Sequence, residues 1–210
     1  MNRDAQPVGE SATSDERVSC ARRRFLVRAT SVVGAMGVAG AAVPLIASWA
    51  PGAGAKAASA PVRVNVAKLE SGQQLVVQWR GQPVFVLRRG QASVVELEQS
   101  TERLADPEST DSLQPDYVDP RLRSIRAEIL VVVGICTHLG CSPQLRSQVA
   151  AADLGPDWPG GYFCPCHGSR YDLAGRVYKG QPAPLNLAVP PHSYASAEVI
   201  VIGVDPQEAA

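Results

Sequence analysis

Four of the chain's five cysteines and two of its three histidines fall in two short boxes, Cys136-Thr137-His138-Leu139-Gly140-Cys141 and Cys164-Pro165-Cys166-His167-Gly168-Ser169. In both, a Cys and a His stand two or three positions apart on a glycine-containing stretch that can wrap around an inorganic centre. Thiolate and imidazole must reach about 2.0 to 2.3 Å from a metal while the backbone stays unstrained, and short glycine-bearing loops permit that. Zinc accepts the same ligands, so spacing alone leaves a Cys2His2 zinc site open. A dithiol redox site matches less well, because neither box has the Cys-x-x-Cys spacing. An iron-sulfur cluster fits best. A ligand set of two Cys and two His leaves one further Cys in each box, and two spare thiols on the outer side of a membrane can close a disulfide between the loops. Zinc alone gives no reason for that second pair.

The elements that must position these boxes read as strands. Val62 to Val66, Leu75 to Trp79, Val84 to Leu87, Ile129 to Ile135 and Ala197 to Val204 are rich in β-branched or aromatic residues and bounded by Gly, Pro or polar clusters. The fold class expected is mainly β. Between Gln91 and Leu104, the apolar Val94, Leu97 and Leu104 fall near helical spacing and predict one short helix. Residues 105–124, rich in Pro, Asp and Ser, read as a long surface loop. No internal repeat occurs at a solenoid period.

The N-terminal third is of a different kind. Residues 1–21 are polar and lack a periodic apolar pattern, which predicts a disordered tail. From Ala29 to Trp49 no residue is charged, and a helix of that length spans roughly 32 Å, close to a hydrocarbon core of about 30 Å. Arg17, Arg22, Arg23, Arg24 and Arg28 precede this run and only Lys56 follows closely, so the cation bias keeps the N-terminus in the cytoplasm. Arg22-Arg23-Arg24-Phe25-Leu26 resembles a twin-arginine export signal, the address of proteins that fold around a cofactor before crossing. Residues 22–50 are therefore read as signal and uncleaved transmembrane anchor, with Pro44 bending it. Residues 51–60, without large apolar side chains, read as a flexible hinge, and ten extended residues reach about 35 Å.

The 20 basic and 20 acidic side chains balance, which argues against a nucleic-acid surface, since that needs clustered cations. The balance hides a split of +3 before residue 61 and −3 after it.

With both boxes in view, the chain resembles the Rieske 2Fe-2S proteins. The likeness extends to Gln78-Trp79-Arg80-Gly81-Gln82-Pro83-Val84-Phe85-Val86, to the Pro-rich stretch from Gly180 to Asn186 and to the order of anchor, tether and head. That plan is similar to the Rieske subunit of bacterial quinol:cytochrome c oxidoreductases. The resemblance implies a β-rich head over residues 61–210 with a small cluster-binding subdomain at about 130–185. It implies that Cys136 and Cys164 bind one iron, that His138 and His167 bind the other, and that Cys141 and Cys166 form the disulfide. One departure stands out: the family's Gly-Pro-Ala-Pro segment occurs here as Gly180-Gln181-Pro182-Ala183-Pro184, one residue longer.

Replacing two thiolates by neutral imidazoles brings the oxidised centre from a formal charge of about −2 to about 0. Adding an electron then costs less work, and Rieske potentials reach roughly −150 to +300 mV against near −400 mV for plant-type clusters. By the same resemblance Ser169 donates to a bridging sulfide and Tyr171 to the Cys136 sulfur, both raising the potential. His167 accepts a proton from the quinol hydroxyl. Leu139 shields the centre and packs against the quinol pocket. The partners implied are a cytochrome b subunit, a c-type cytochrome, ubiquinol or a related quinol, and the membrane, in a dimeric complex with the head in the periplasm. Rival readings are an exported Rieske subunit of the arsenite oxidase type, a Rieske ferredoxin feeding an oxygenase, and a zinc-stabilised interaction domain. Cys20 reads as a free thiol and His192 as a surface or structural residue.

Overall fold

A computed structural model describes residues 14–50, 52, 54 and 59–206. By internal packing the chain divides into two units, residues 1–52 and 53–210.

The first unit is a single helix, α1 (Ser14–Ala47). Within it Ser19–Ala47 is long and apolar enough to cross a membrane. A helix suits hydrocarbon because its backbone polar groups are satisfied within the segment. Residues 14–21 are helical, which corrects the disordered tail expected there; each residue added to a nucleated helix gains a hydrogen bond for one residue fixed. Residues 1–13 lie outside the described residues. The helix runs through Pro44 to Ala47, and Ser48 N–H still reaches the Pro44 carbonyl at 2.9 Å. The expected hinge at 51–60 lies mostly outside the described residues.

Among the described residues from 59 on, the second unit carries three antiparallel three-stranded sheets and one short helix. β1 (Val62–Asn65), β9 (Val199–Ile202) and β8 (His192–Tyr194) make the first sheet, with β9 central. β2 (Gln74–Trp79), β3 (Gln82–Arg88) and β4 (Ile129–Val133) make the second, with β3 central. The third joins β5 (Gln144–Arg146), β6 (Gly161–Phe163) and β7 (Arg170–Tyr171). All five expected strands exist, and four more are present that composition did not announce.

β3 and β4 decide the architecture. Side chains of a strand alternate between faces. Val84 and Val86, with Ile129 and Val131, face a core shared with Ile200, Ile202 and Trp79. Phe85 and Leu87, with Leu130 and Val132, face a second core built from Cys136, Tyr162, Cys164, Tyr171 and Leu187. Both faces of the pair are thus covered, so β4 reads Ile-Leu-Val-Val-Val with no polar alternation and every residue buried. Burying each such side chain contributes about 1.5 to 3 kcal/mol. The third sheet rests on this floor through Phe85 and Tyr162, stacked at 5.6 Å.

Two expectations need correction. The helix α2 (Gln91–Gln99) stops short of Leu104, which instead bridges Tyr178. Residues 105–124 form the expected loop, but only part of it lies at the surface. Asp106, Ser109, Val118, Leu122, Arg123 and Ser124 are buried, because polar turns satisfy the backbone from within. The Asp106 carboxylate accepts from Thr110 N–H (2.8 Å), Asp111 N–H (3.2 Å) and the Ser112 hydroxyl (2.7 Å). Asn186 Nδ2 donates to the Asp106 carbonyl (2.9 Å), so the Pro-rich segment is tied to this loop.

Beneath them lies a knot of buried charge. Arg89, Arg123 and Arg176 are all buried. Asp172 bonds Arg176 Nε at 2.7 Å and also accepts the N–H groups of Ala174 and Arg176. Burial pulls Arg89 and Arg123 down to about 10, and the Asp172 charge opposes the fall in both. Asp172 is thus ion-paired with Arg176 and also acts at longer range on Arg89, with Glu128, and on Arg123, with Asp106. Removing one partner of a buried pair costs about 3 to 5 kcal/mol, so Asp172→Ala is expected to lower the unfolding free energy by about that amount in urea titrations of the full chain.

His192 is fully buried, which settles its role as structural and corrects the surface alternative. Its Nδ1–H donates to the Pro190 carbonyl at 2.9 Å, and Nε2 is buried without a partner among the described residues. Burial holds the imidazole below its ordinary value, with Pro190 and Asp205 opposing. The folded chain thus keeps His192 neutral where the unfolded chain would already be protonated. That penalty is absent above about pH 6.5, and stability declines as pH falls from there through the lower folded value. His192→Gln should lack this part of the decline, which is at most about 1.4 kcal/mol per pH unit; unfolding measured from pH 8 to 5 checks it.

Candidate metal centre

The two boxes follow β4 and β6, and they are built alike. Cys136 N–H donates to the Cys141 carbonyl (2.7 Å) and Gly140 N–H returns to the Cys136 carbonyl (3.0 Å). In the second box Cys164 N–H donates to the Ser169 carbonyl (2.8 Å) and Gly168 N–H to the Cys164 carbonyl (2.9 Å). Each loop is a closed six-residue turn with glycine fifth, at φ +85° in Gly140 and +80° in Gly168. That left-handed backbone is the reason for glycine at both positions. The histidine is third in one loop and fourth in the other.

The loops are joined by a Cys141–Cys166 disulfide, 25 residues apart in sequence. The Cys164 sulfur lies within 4.8 Å of both disulfide sulfurs. Those two are spent on each other, so they offer no thiolate to a metal. Cys136 and Cys164 remain free and buried. The His138 and His167 rings stand edge to face with centroids 4.7 Å apart. His138 is half-buried and His167 exposed.

Hydrogen-bond donors converge on the two free sulfurs. Burial alone pushes the Cys136 thiol up. The Tyr171 hydroxyl at 3.2 Å, the His138 backbone N–H, and Cys164 and Ser169 outweigh it, so the thiol lies below its ordinary value. Cys164 is held above it, by burial first and by Cys136, against donation from the Cys166 and His167 N–H groups. Ser169 is fully buried, and its Oγ accepts Ala183 N–H at 3.1 Å, which leaves the hydroxyl proton for a sulfur. Leu139 is 71% exposed, a large apolar side chain between His138 and Gly140 held in solvent.

The donor set fits an iron-sulfur group. His138 Nδ1 is buried with no hydrogen-bond partner among the described residues, a costly state for an imidazole nitrogen unless it coordinates. It stands with a second imidazole and two thiols that already receive N–H and O–H donors.

The comparisons with known proteins agree. The Rieske 2Fe-2S domain model matches residues 60–191. The model described as the ubiquitinol-cytochrome C reductase Fe-S subunit TAT signal matches residues 12–52. The chain belongs to the Rieske family. It is 52% identical over 192 residues to the ubiquinol-cytochrome c reductase iron-sulfur subunit of Allochromatium vinosum, covering 91% of this chain and 93% of that one. It is 43% identical over 190 residues to the subunit of that name from Blastochloris viridis, covering 90% and 97%. Rieske subunits carry one 2Fe-2S cluster, so zinc is set aside here. The export signal and the apolar helix fit a membrane-anchored, exported Rieske subunit.

Some site residues were not visible in the sequence. Thr137 Oγ1 donates to the Leu185 carbonyl at 2.6 Å and also contacts the Tyr171 hydroxyl. Asn186 Oδ1 takes Val177 N–H at 2.8 Å. The extra residue of the Pro-rich segment is accommodated by its own side chain: Gln181 Oε1 accepts Arg170 N–H at 3.1 Å, and Ala183 stays buried. Only the segment's proline content hinted at this layer.

Tyr171→Phe and Ser169→Ala are expected to keep the cluster and lower its midpoint potential. A donor to sulfur that favours the reduced form by about 1 kcal/mol corresponds to roughly 40 mV for one electron, and redox titration followed by circular dichroism measures the shift.

Proposed function

We propose that this chain is the iron-sulfur electron-transfer subunit of a quinol:cytochrome c oxidoreductase, taking one electron and a proton from quinol and passing the electron to a c-type cytochrome. The observation that carries the reading is the pairing of two adjacent imidazoles, one exposed, with two buried thiols. It occurs in a chain 52% identical to a named ubiquinol-cytochrome c reductase subunit. Those relatives favour this complex over an arsenite oxidase type subunit or an oxygenase ferredoxin.

Cys136 and Cys164 hold one iron in this reading and His138 and His167 the other; when bound, the 2Fe-2S cluster supplies one-electron acceptance at high potential. The remaining work falls to the chain. Tyr171 and Ser169 place O–H donors on the sulfur side, favouring added negative charge. The Cys141–Cys166 disulfide keeps the two loops from parting. His167, being exposed, offers a ring nitrogen to the quinol hydroxyl and takes its proton. Leu139, also exposed, covers an apolar quinol ring and keeps water from the donor set.

The partners are cytochrome b and a c-type cytochrome in a cytochrome bc1 assembly. Ubiquinol or a related quinol as donor, and a dimeric complex, belong to the same proposal. The arginines before the apolar run put the N-terminus in the cytoplasm and the head in the periplasm. The stretch at 51–60 serves as a hinge that lets the head visit both cytochromes.

Membranes carrying His167→Ala or Cys164→Ala are expected to lose the characteristic electron paramagnetic resonance signal and quinol-driven cytochrome c reduction together. A normal signal in either variant would refute the ligand assignment.

A further inference from the structure

We propose that a cleft on the flank of the head, lined by Arg103, Trp158, Arg170, Tyr178, Lys179 and Gln181, is a binding site for a phosphate group. Its volume is about 280 Å³, and no carboxylate is among its lining residues. Two other surface arginines of this unit have acidic partners, Arg121 with Glu108 and Arg146 with Asp153. Among the described residues, Arg103, Arg170 and Lys179 have none within 4.0 Å. Three like charges are therefore gathered in one concavity with none of them in an ion pair, the neighbouring Glu102 and Asp157 touching them through backbone carbonyls alone, which favours an anion there.

The cations are held together by the backbone. Lys179 N–H donates to the Arg103 carbonyl at 2.9 Å and Tyr178 N–H to the Arg170 carbonyl at 3.2 Å. Gln181 Oε1 closes the third side on Arg170 N–H. Arg103 Nη1 donates to the Asp157 carbonyl at 3.1 Å, and its guanidinium lies 5.4 Å from the Tyr178 ring centre. Lys179 Nζ donates to the Glu102 carbonyl at 2.8 Å. These bonds fix the side chains but cancel no charge, and each leaves donors unused. The Arg170 guanidinium has no hydrogen-bond partner among the described residues.

Two guanidinium forks and an ammonium call for an anion with several acceptor oxygens, which a phosphate offers and a lone carboxylate does not. Trp158 and Tyr178, edge to face at 6.4 Å, add an apolar wall suited to the carbon side of an ester. The phosphate can be free or the headgroup of an anionic phospholipid. The cleft also adjoins the metal-binding loops, since Arg170 follows Ser169 directly and Gln181 lies two residues before Ala183, which donates to Ser169 Oγ.

The test is calorimetric titration of the full-length, cluster-loaded chain in neutral detergent, at matched chloride ionic strength, with inorganic phosphate and separately with dihexanoylphosphatidylglycerol below its micelle concentration. Saturable binding of either probe is expected, weakened at least tenfold in Arg170→Gln and in Lys179→Gln with the visible spectrum unchanged. Binding of the lipid alone assigns a headgroup, and binding of phosphate alone assigns the free ion; both support the site. Lys179 is exposed, so Lys179→Gln carries the test if Arg170→Gln fails to fold. Absence of saturable binding, or equal binding by the variants, overturns the proposal. So does loss of complex assembly in the variants without any anion binding, which would mark the cleft as a face for an acidic protein.

Discussion

Two buried thiols can serve as anionic ligands only if something inside the fold compensates the water they have lost. At Cys136 a set of donors, the Tyr171 hydroxyl, the His138 N–H and Ser169, outweighs burial, and at Cys164 the N–H groups of Cys166 and His167 offset part of it. A buried charge without such partners is costly. Nearly every local feature of the loops follows from aiming those donors. The two turns repeat one hydrogen-bond pattern, and the left-handed glycines let the chain reverse within six residues. The disulfide prevents the loops from opening, which would let water replace the donors.

Donors placed to within a few tenths of an ångström need a stiff support. It comes from β3 and β4, whose opposite faces belong to two different cores, so the metal-binding loops rest on the same strands that close the outer sandwich. The Pro-rich segment is stitched on the other side, through Ser169 to Ala183, Thr137 to Leu185 and Val177 to Asn186. Beneath it, Asp172 pairs with the buried Arg176, and carbonyls and neutral side chains take up the buried Arg89 and Arg123. Such polar networks are destabilising when half satisfied and rigid when complete, which suits a centre whose potential depends on fixed dipoles.

Legibility in the sequence divided along physical lines. Long β-branched runs such as residues 129–133 were recognisable because burial demands them, and the uncharged run of α1 because hydrocarbon does. β5, β6 and β7 were not recognisable. They have two or three residues each, too few for a period to register, and they exist because Tyr162 and Tyr171 are held against the Phe85 face. The segment 105–124 was only partly legible, for a related reason. Its Asp, Ser and Pro content is that of a surface loop, yet Asp106 turns those polar groups inward on each other.

From the chain alone came the donor types and their spacing, which narrow the centre to a thiolate and imidazole site, and the resemblance of the two boxes to the Rieske family named the cluster. The export address and the apolar span were equally local, being read from charge and length. Which donors reach which sulfur, which cysteines pair, and which imidazole meets solvent were decided only by the tertiary structure. Those are distances between residues some 25 to 50 positions apart, and such distances are set by the sheets beneath the loops.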